Sequence, residues 1–208
     1  MLEGIEIVRP GEIEKRSFEI ISESLKGREF PHMTELIVKR VIHTTADFEY
    51  VDTLKISDDA VKSAMEAIKS GSNIVTDTMM AASGINKKSL SRFGGEVLSF
   101  MSDEDVAKEA KNRDVTRASI CMEKAAQNSK NRIFAIGNAP TALIRLYELV
   151  RDKVVDPALV IGVPVGFVNV VESKELFMKA GVPYIIASGR KGGSNVAAAI
   201  VNAILYMM

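Results

Sequence analysis

The chain has 208 residues, 47% of them hydrophobic, which is enough for one sizeable core in a single domain. Lys plus Arg and Asp plus Glu both total 27, so the formal net charge of +0 creates no global field for nucleic acid or an anionic membrane, and an anionic ligand must be held by local donors. The single cysteine, Cys121, excludes an internal disulfide and a Cys-based zinc cluster, and it fits a reducing cytoplasm.

The start, Met1 to Glu6, lacks the basic-then-apolar order of a signal peptide, so a cytoplasmic chain is expected. Pro10-Gly11-Glu12 opens a helix running to Gly27, with Ile13, Ile20, Ile21 and Leu25 recurring on one stripe. A second helix starts at Pro31, with Met33, Leu36, Ile37 and Val41 at helical spacing. The branched residues from Leu36 to Ile42 leave a strand open as the alternative. Ser57 is expected to cap a third helix, Asp58 to Ser70, with Gly71 after its end.

From Ser72 onward, a short apolar run precedes a helix five times, at Asn73–Thr76, Glu96–Met101, Arg132–Ile136, Ala158–Gly162 and Tyr184–Ala187. A further helix, Thr116 to Ser129, is inserted after the second of these units. Such alternation predicts a parallel sheet with helices on both faces. The chain thus divides into a mainly helical N-terminal part, 1–71, and a parallel α/β core, 72–208, of one domain. Val196 to Met208, broken by Asn202, is shorter than the ~20 residues that span a bilayer and reads as a buried final helix.

In open parallel sheets, ligands bind beyond the carboxyl ends of the strands. Here those ends carry Gly137-Asn138-Ala139-Pro140 and Gly189-Arg190-Lys191-Gly192-Gly193-Ser194. Bare glycine backbone and a following helix N-terminus favour an anion, so both loops are candidate anion sites; a tight turn with solvated cations is the equal alternative for the second. Neither loop has the spacing of a dinucleotide or Walker phosphate loop. Cys121 lies mid-helix and reads as a buried inert thiol. Ser102 followed by Asp103-Glu104-Asp105 reads as a capped first turn, and Met79, Met80, Met101 and Met122 read as core filler.

His43 is one of two histidines, His32 being the other. It sits in Arg40-Val41-Ile42-His43-Thr44-Thr45-Ala46-Asp47, among a cation, two hydroxyls and a carboxylate, the surroundings a proton-transfer group needs. If the segment is helical, Arg40 and His43 share a face. The two histidines are too far apart in sequence for a helical metal pair, and no acidic cluster accompanies them. A structural histidine at a helix end is the commoner case, so the residues alone give an α/β protein with an anion-friendly sheet edge and one proton-transfer candidate.

Several motifs, in order, resemble the precorrin-8X methylmutases, including the cobalt-precorrin-8 methylmutases. They are Arg16-Ser17-Phe18, Lys39 to Phe48, Thr76-Asp77-Thr78 with Gly84-Ile85, and Asp114-Val115-Thr116-Arg117. Ile136 to Leu143, Ile161 to Val168, Glu172-Ser173-Lys174 and Gly189 to Ser194 complete the set. The resemblance covers nearly the whole length. It implies a three-layer α/β/α, flavodoxin-like fold with a five-stranded parallel sheet and an N-terminal helical extension, acting as a homodimer without a cofactor or metal. The implied activity is an isomerisation in cobalamin biosynthesis that moves a methyl group within ring C of a corrinoid precursor by a proton-assisted sigmatropic shift. His43 matches the family's catalytic histidine, and Ser17 and Arg40 match its substrate contacts. Arg117, Asn138, Arg190, Gly192 and Gly193 are the further contacts expected around the carboxylate rim of a flat macrocycle. A binding module that holds a corrinoid or other polyanion without transforming it is the alternative of a different class; a nucleotide-binding enzyme is a third.

Overall fold

The computed structural model describes residues 4, 6–31 and 33–208; His32 lies outside the described residues. A 3-10 turn, Pro10–Glu12, leads into α1 (Ile13–Ser24), so the α-helix is about a turn shorter at each end than the expected span from Pro10 to Gly27. α2 (Thr34–Thr45) is a helix throughout, because its apolar residues repeat with a period near four: Ile37, Val38, Val41 and Ile42 are buried and Glu35 and Leu36 are exposed. A short α3 (Tyr50–Thr53) leads directly into β1 (Leu54–Ile56), which the sequence reading missed. Then come α4 (Ala60–Lys69), β2 (Asn73–Thr76), α5 (Met79–Gly84), α6 (Lys87–Ser91), β3 (Val97–Leu98), α7 (Glu104–Asn112), α8 (Arg117–Ala125) and β4 (Asn131–Ile136). The chain ends with α9 (Pro140–Arg151), β5 (Leu159–Gly162), α10 (Val170–Phe177), β6 (Tyr184–Ala187) and α11 (Ser194–Tyr206).

The six strands order as β1-β6-β5-β4-β2-β3. β2 to β6 are parallel, in the doubly wound order of flavodoxin-like sheets, and β1 adds an antiparallel edge strand on β6. The expected five-stranded parallel sheet is therefore present with a sixth strand appended. Side-chain alternation sorts the strands between two cores. Ile133 and Ala135 join a cluster with α2, α4 and α11, whereas Phe134 and Ile136 join one with α7 to α10. That is the three-layer arrangement.

α11 is the apolar tail foreseen as a buried helix. Val196, Ile200, Val201, Ile204 and Leu205 are all buried, and each such side chain stabilises the fold by about 1.5–3 kcal/mol. Asn202, which breaks its apolar run, accepts from the Asn86 N–H at 2.8 Å and donates to the Gly84 carbonyl at 2.9 Å, so the polar residue stitches α11 to the α5–α6 corner. No helix among the described residues is long and apolar enough to cross a membrane.

Several local expectations are corrected. Ser57 does not cap α4; its hydroxyl accepts from the Tyr184 N–H at 2.9 Å and its backbone N–H donates to the Tyr184 carbonyl at 3.0 Å, fixing the edge of β6. Ser102 is not the cap of α7; Asp103 occupies that position, and Asp103 and Asp105 both bind Lys124 instead. Met122 is core as expected, but Met79 and Met80 are 51% and 72% exposed beyond the carboxyl end of β2. Cys121 is buried, and burial pushes its thiol up to about 11, as an inert core thiol requires.

Candidate active site

α1 and α2 pack side by side, and the contact brings four separately noted residues together. Ser17 Oγ lies 2.8 Å from His43 Nδ1. Phe18 flanks the imidazole, with ring centroids 5.4 Å apart. The Arg40 guanidinium is held between the rings of Phe18, at 4.7 Å, and Tyr206, at 5.1 Å, and pairs with Glu14. Arg40 and His43 thus share a face of α2, as their spacing predicts. His43 is exposed, so its ring is accessible from outside the helix pair.

This geometry leaves Nε2 as the ring nitrogen free for proton transfer. A protonated imidazole donates Nδ1–H to Ser17 Oγ and leaves Nε2–H free to be given away. In the neutral Nδ1–H tautomer the same contact is kept, and Nε2 is left to take a proton back. Stacking between two aromatic faces holds the Arg40 fork, and its anionic partner here is Glu14.

The end of α2 is tied to the last glycine loop. Ala46 adopts a left-handed conformation, φ 54°, and its N–H caps α2 on the Ile42 carbonyl at 2.7 Å. The chain then turns so that Asp47 and Glu49 meet Lys191 Nζ at 2.6 and 2.9 Å. The Lys191 hydrogen bond, helped by the Glu49 N–H, holds the Asp47 carboxyl below its usual range, and the two carboxylates push Lys191 up.

N–H groups of both glycine loops are used within the protein. Asp77, which is buried at the end of β2, accepts from the N–H groups of Gly137, Asn138 and Ala139 at 2.8, 2.8 and 2.7 Å. The anion at this helix start is the protein's own. Burial pushes the Asp77 carboxyl up, and the three N–H donors oppose that shift. The Gly193 N–H is likewise spent, on the Val163 carbonyl at 2.9 Å.

These glycines permit close approach of backbones. A Cβ on Gly137 would stand 2.7 Å from Ser194 Cα, and one on Gly192 would overlap the Val163 carbonyl oxygen. Gly192→Ala is therefore expected to destabilise the fold by about 3 kcal/mol, the upper end for overpacking, because the obstacle is backbone. Gly189→Ala, at φ +77° but with nothing within 4 Å, is the control. It should cost about 1 kcal/mol by backbone strain alone. Urea unfolding of the two variants checks the difference.

The remaining predicted residues lie along the carboxyl edge of the sheet. Arg117 is exposed at the first turn of α8, where the cap residue Thr116 reaches Thr141 of α9 at 2.8 Å between hydroxyls. Asn138 is exposed above Asp77. Arg190 is exposed and lies over the Phe167 ring, at 6.0 Å. A Thr78–Ser194 hydroxyl contact of 2.8 Å links the starts of α5 and α11 on the same edge. Of the residues singled out, His43, Ser17 and Arg40 form one cluster, and the loop that carries Arg190, Gly192 and Gly193 is tied to the end of α2 through Lys191.

A cleft of about 760 Å³, walled by Phe30, Met33, Val38, Leu54, Ile56 and Tyr184 among others, opens by the first half of α2 and the β1 edge. His43, on the last turn of α2, is not on its wall, and proton-transfer geometry locates the candidate site better than volume does.

Sequence reasoning left Lys174 without a role. It is 1% exposed on α10, and its Nζ donates to the carbonyls of Gly189 and Lys191 at 2.8 and 2.9 Å. Burial pushes its ammonium down to about 8. Below that pH the folded and unfolded chains both carry the proton; above it only the unfolded chain does, until the ~10.4 of a free lysine. Stability must therefore rise as pH increases through 8. Cys121 opposes this from about pH 9, its ordinary value, because the native thiol keeps a proton that the unfolded chain gives up. Urea midpoints should accordingly show a gain of roughly 1 kcal/mol between pH 8 and 9 that Lys174→Met lacks.

A three-layer α/β protein with a serine-contacted histidine, a stacked arginine and exposed arginines at its sheet edge has the groups that proton-assisted chemistry on an anionic molecule needs. The family described as Precorrin-8X methylmutase matches residues 12–207. The Cobalt-precorrin-8 methylmutase of Priestia megaterium is 47% identical over 197 residues, covering 95% of this chain and 88% of that protein. The Precorrin-8X methylmutase of Pseudomonas aeruginosa is 36% identical, covering 96% and 97%. A crystal structure of precorrin-8x methyl mutase from Thermus thermophilus superposes with a TM-score of 0.86 at 37% identity, covering 94% of this chain and 96% of that one. The chain belongs to the precorrin-8X methylmutase family, and it is an isomerase of cobalamin biosynthesis.

Proposed function

We propose that the substrate is cobalt-precorrin-8 and that His43 is the acid of the methyl shift, acting in a homodimer in the cytoplasm. The observation that carries the mechanism is the Ser17–His43 contact, which orients an exposed imidazole with Nε2 available. In this reading Nε2–H protonates a ring C nitrogen, making the conjugated system electron-poor. The methyl group then migrates from the α carbon of ring C to the neighbouring β carbon, and the proton is returned to Nε2 as the corrin chromophore forms. No atom is gained or lost, so the reaction consumes nothing.

Binding is assigned to the rest of the site. A macrocycle edged with carboxylates needs an apolar slot and cations around it. Ile13 and Ile20 flank Ser17 on α1 at i−4 and i+3 and are 56% and 48% exposed, which supplies apolar surface beside the imidazole. The same exposed side chains, with Leu36 at 48%, support a homodimer that covers part of this surface. Arg40, Arg117 and Arg190 are assigned to substrate carboxylates, and Asn138, Gly192 and Gly193 shape the edge on which they sit. Cobalt is a property of the substrate in this assignment, and the name of the Priestia megaterium relative favours the metal-loaded form.

Separate incubation with cobalt-loaded and metal-free precursor, followed by the absorbance of the corrin product, tests this assignment. Conversion of the cobalt form at a higher kcat/KM is expected. Faster conversion of the metal-free form would reverse the substrate assignment, and binding of both without conversion would leave a corrinoid carrier.

A further inference from the structure

We infer that Lys174 is a positioning residue for substrate binding: its buried ammonium pins the backbone of the Gly189–Lys191 loop and thereby sets the place of the Arg190 guanidinium on the substrate rim. The inference rests on the functional reading above. It starts from an oddity of α10. Lys174 is among the largest fully buried side chains, and among the described residues no carboxylate lies within ion-pair distance of it. Burying an ammonium without a counter-ion costs several kcal/mol, whereas a methionine could fill the same space without charge. Packing alone therefore does not account for a lysine here.

What the ammonium does is specific. Its two hydrogen bonds end on the carbonyls of Gly189 and Lys191, on either side of Arg190. Gly189 has φ +77°, so the loop leaves β6 in a conformation that its own backbone does not enforce. The Gly166 N–H then donates to the Arg190 carbonyl at 3.2 Å, and the Arg190 guanidinium lies over Phe167. One buried charge thus holds the carbonyls of the residues on either side of the rim cation, while the outward side chain of Lys191 fastens the loop to Asp47 and Glu49. Ser17 on α1 and His43 on α2 share no hydrogen bond or ion pair with Lys174, whose partners are the Gly189 and Lys191 carbonyls, so the effect should fall on binding rather than on proton transfer.

The test is a double-mutant cycle on turnover of cobalt-loaded precursor. Lys174→Met is expected to raise KM about tenfold while changing kcat less than about threefold. Arg190→Ala should raise KM about tenfold in the parent but about twofold or less in the Lys174→Met background, because the cation is already misplaced. A purely structural lysine would give fully additive effects, and that result, or an unchanged KM in a cooperatively folded Lys174→Met protein, would overturn the inference. Should the methionine variant not fold, Lys174→Gln, which keeps two N–H donors without the charge, carries the same cycle with the same expectations at smaller amplitude. A parent that converts neither precursor would remove the functional reading and this inference with it; a parent that converts one while the cycle is additive removes the inference alone.

Discussion

His43→Ala should lower turnover of the cobalt-loaded precursor by about 10²–10⁴-fold, the range of a positioned acid–base group. That loss corresponds to roughly 3–5 kcal/mol of transition-state stabilisation. The exposed imidazole buries little surface, so the variant should melt close to the parent. Product affinity should change only a few-fold, because the assigned carboxylate contacts are on Arg40, Arg117 and Arg190. Single-turnover absorbance gives the chemical step, and titration with the coloured product gives the affinity. Ser17→Ala is the graded companion. It leaves the ring in place but removes the partner of Nδ1, and about a tenfold loss is expected for the lost orientation of the ring. A His43→Ala protein that turns over within about threefold of the parent would move the proton to another group and empty the Ser17 contact of its meaning.

How much of this was legible in the sequence differs by physical cause. The parallel strands were legible because each buried run is bounded by turn residues and followed by a helical repeat. β1 was not, since Leu54-Lys55-Ile56 is three residues long and follows a four-residue helix without a turn signal. Only its pairing with Ile185, Ile186 and Ala187 makes it a strand. The Arg40–His43 face follows from helical spacing alone, but Ser17 is 26 residues from His43, and no local rule joins α1 to α2; the family motifs supplied that pair. The glycine loops show the opposite failure. Their composition is that of an anion nest, and the first does bind an anion, but the anion comes from β2, the neighbouring strand in the sheet and some 60 residues away in sequence. An acid placed directly after a fully buried strand was the available signal, because such a carboxylate must find donors at the same sheet edge.

The same geometry makes Asp77→Ala the substitution with the largest expected effect on stability. The carboxylate takes the N–H groups of Gly137, Asn138 and Ala139, all at the start of α9, where Pro140 supplies no N–H of its own. An alanine leaves three donors facing a void. Leaving a buried donor unmade costs about 1–3 kcal/mol, so a loss of about 3–6 kcal/mol is expected, offset in part by removing a buried charge. For a chain of this length that lowers Tm by roughly 6–24 °C. Asp77→Asn should lose less, because its remaining oxygen can still accept from Asn138 and Ala139 while its amide nitrogen faces the Gly137 N–H. The ordering Ala, then Asn, then parent in Tm is therefore the signature of a backbone clamp. Equal Tm for all three would mean that the N–H groups find water as readily as the carboxylate, and that the start of α9 is set by Pro140 alone. Because Gly137 packs on Ser194 Cα, slackening this clamp also loosens the start of α11. The two variants should accordingly bind product more weakly in the same order in which they melt.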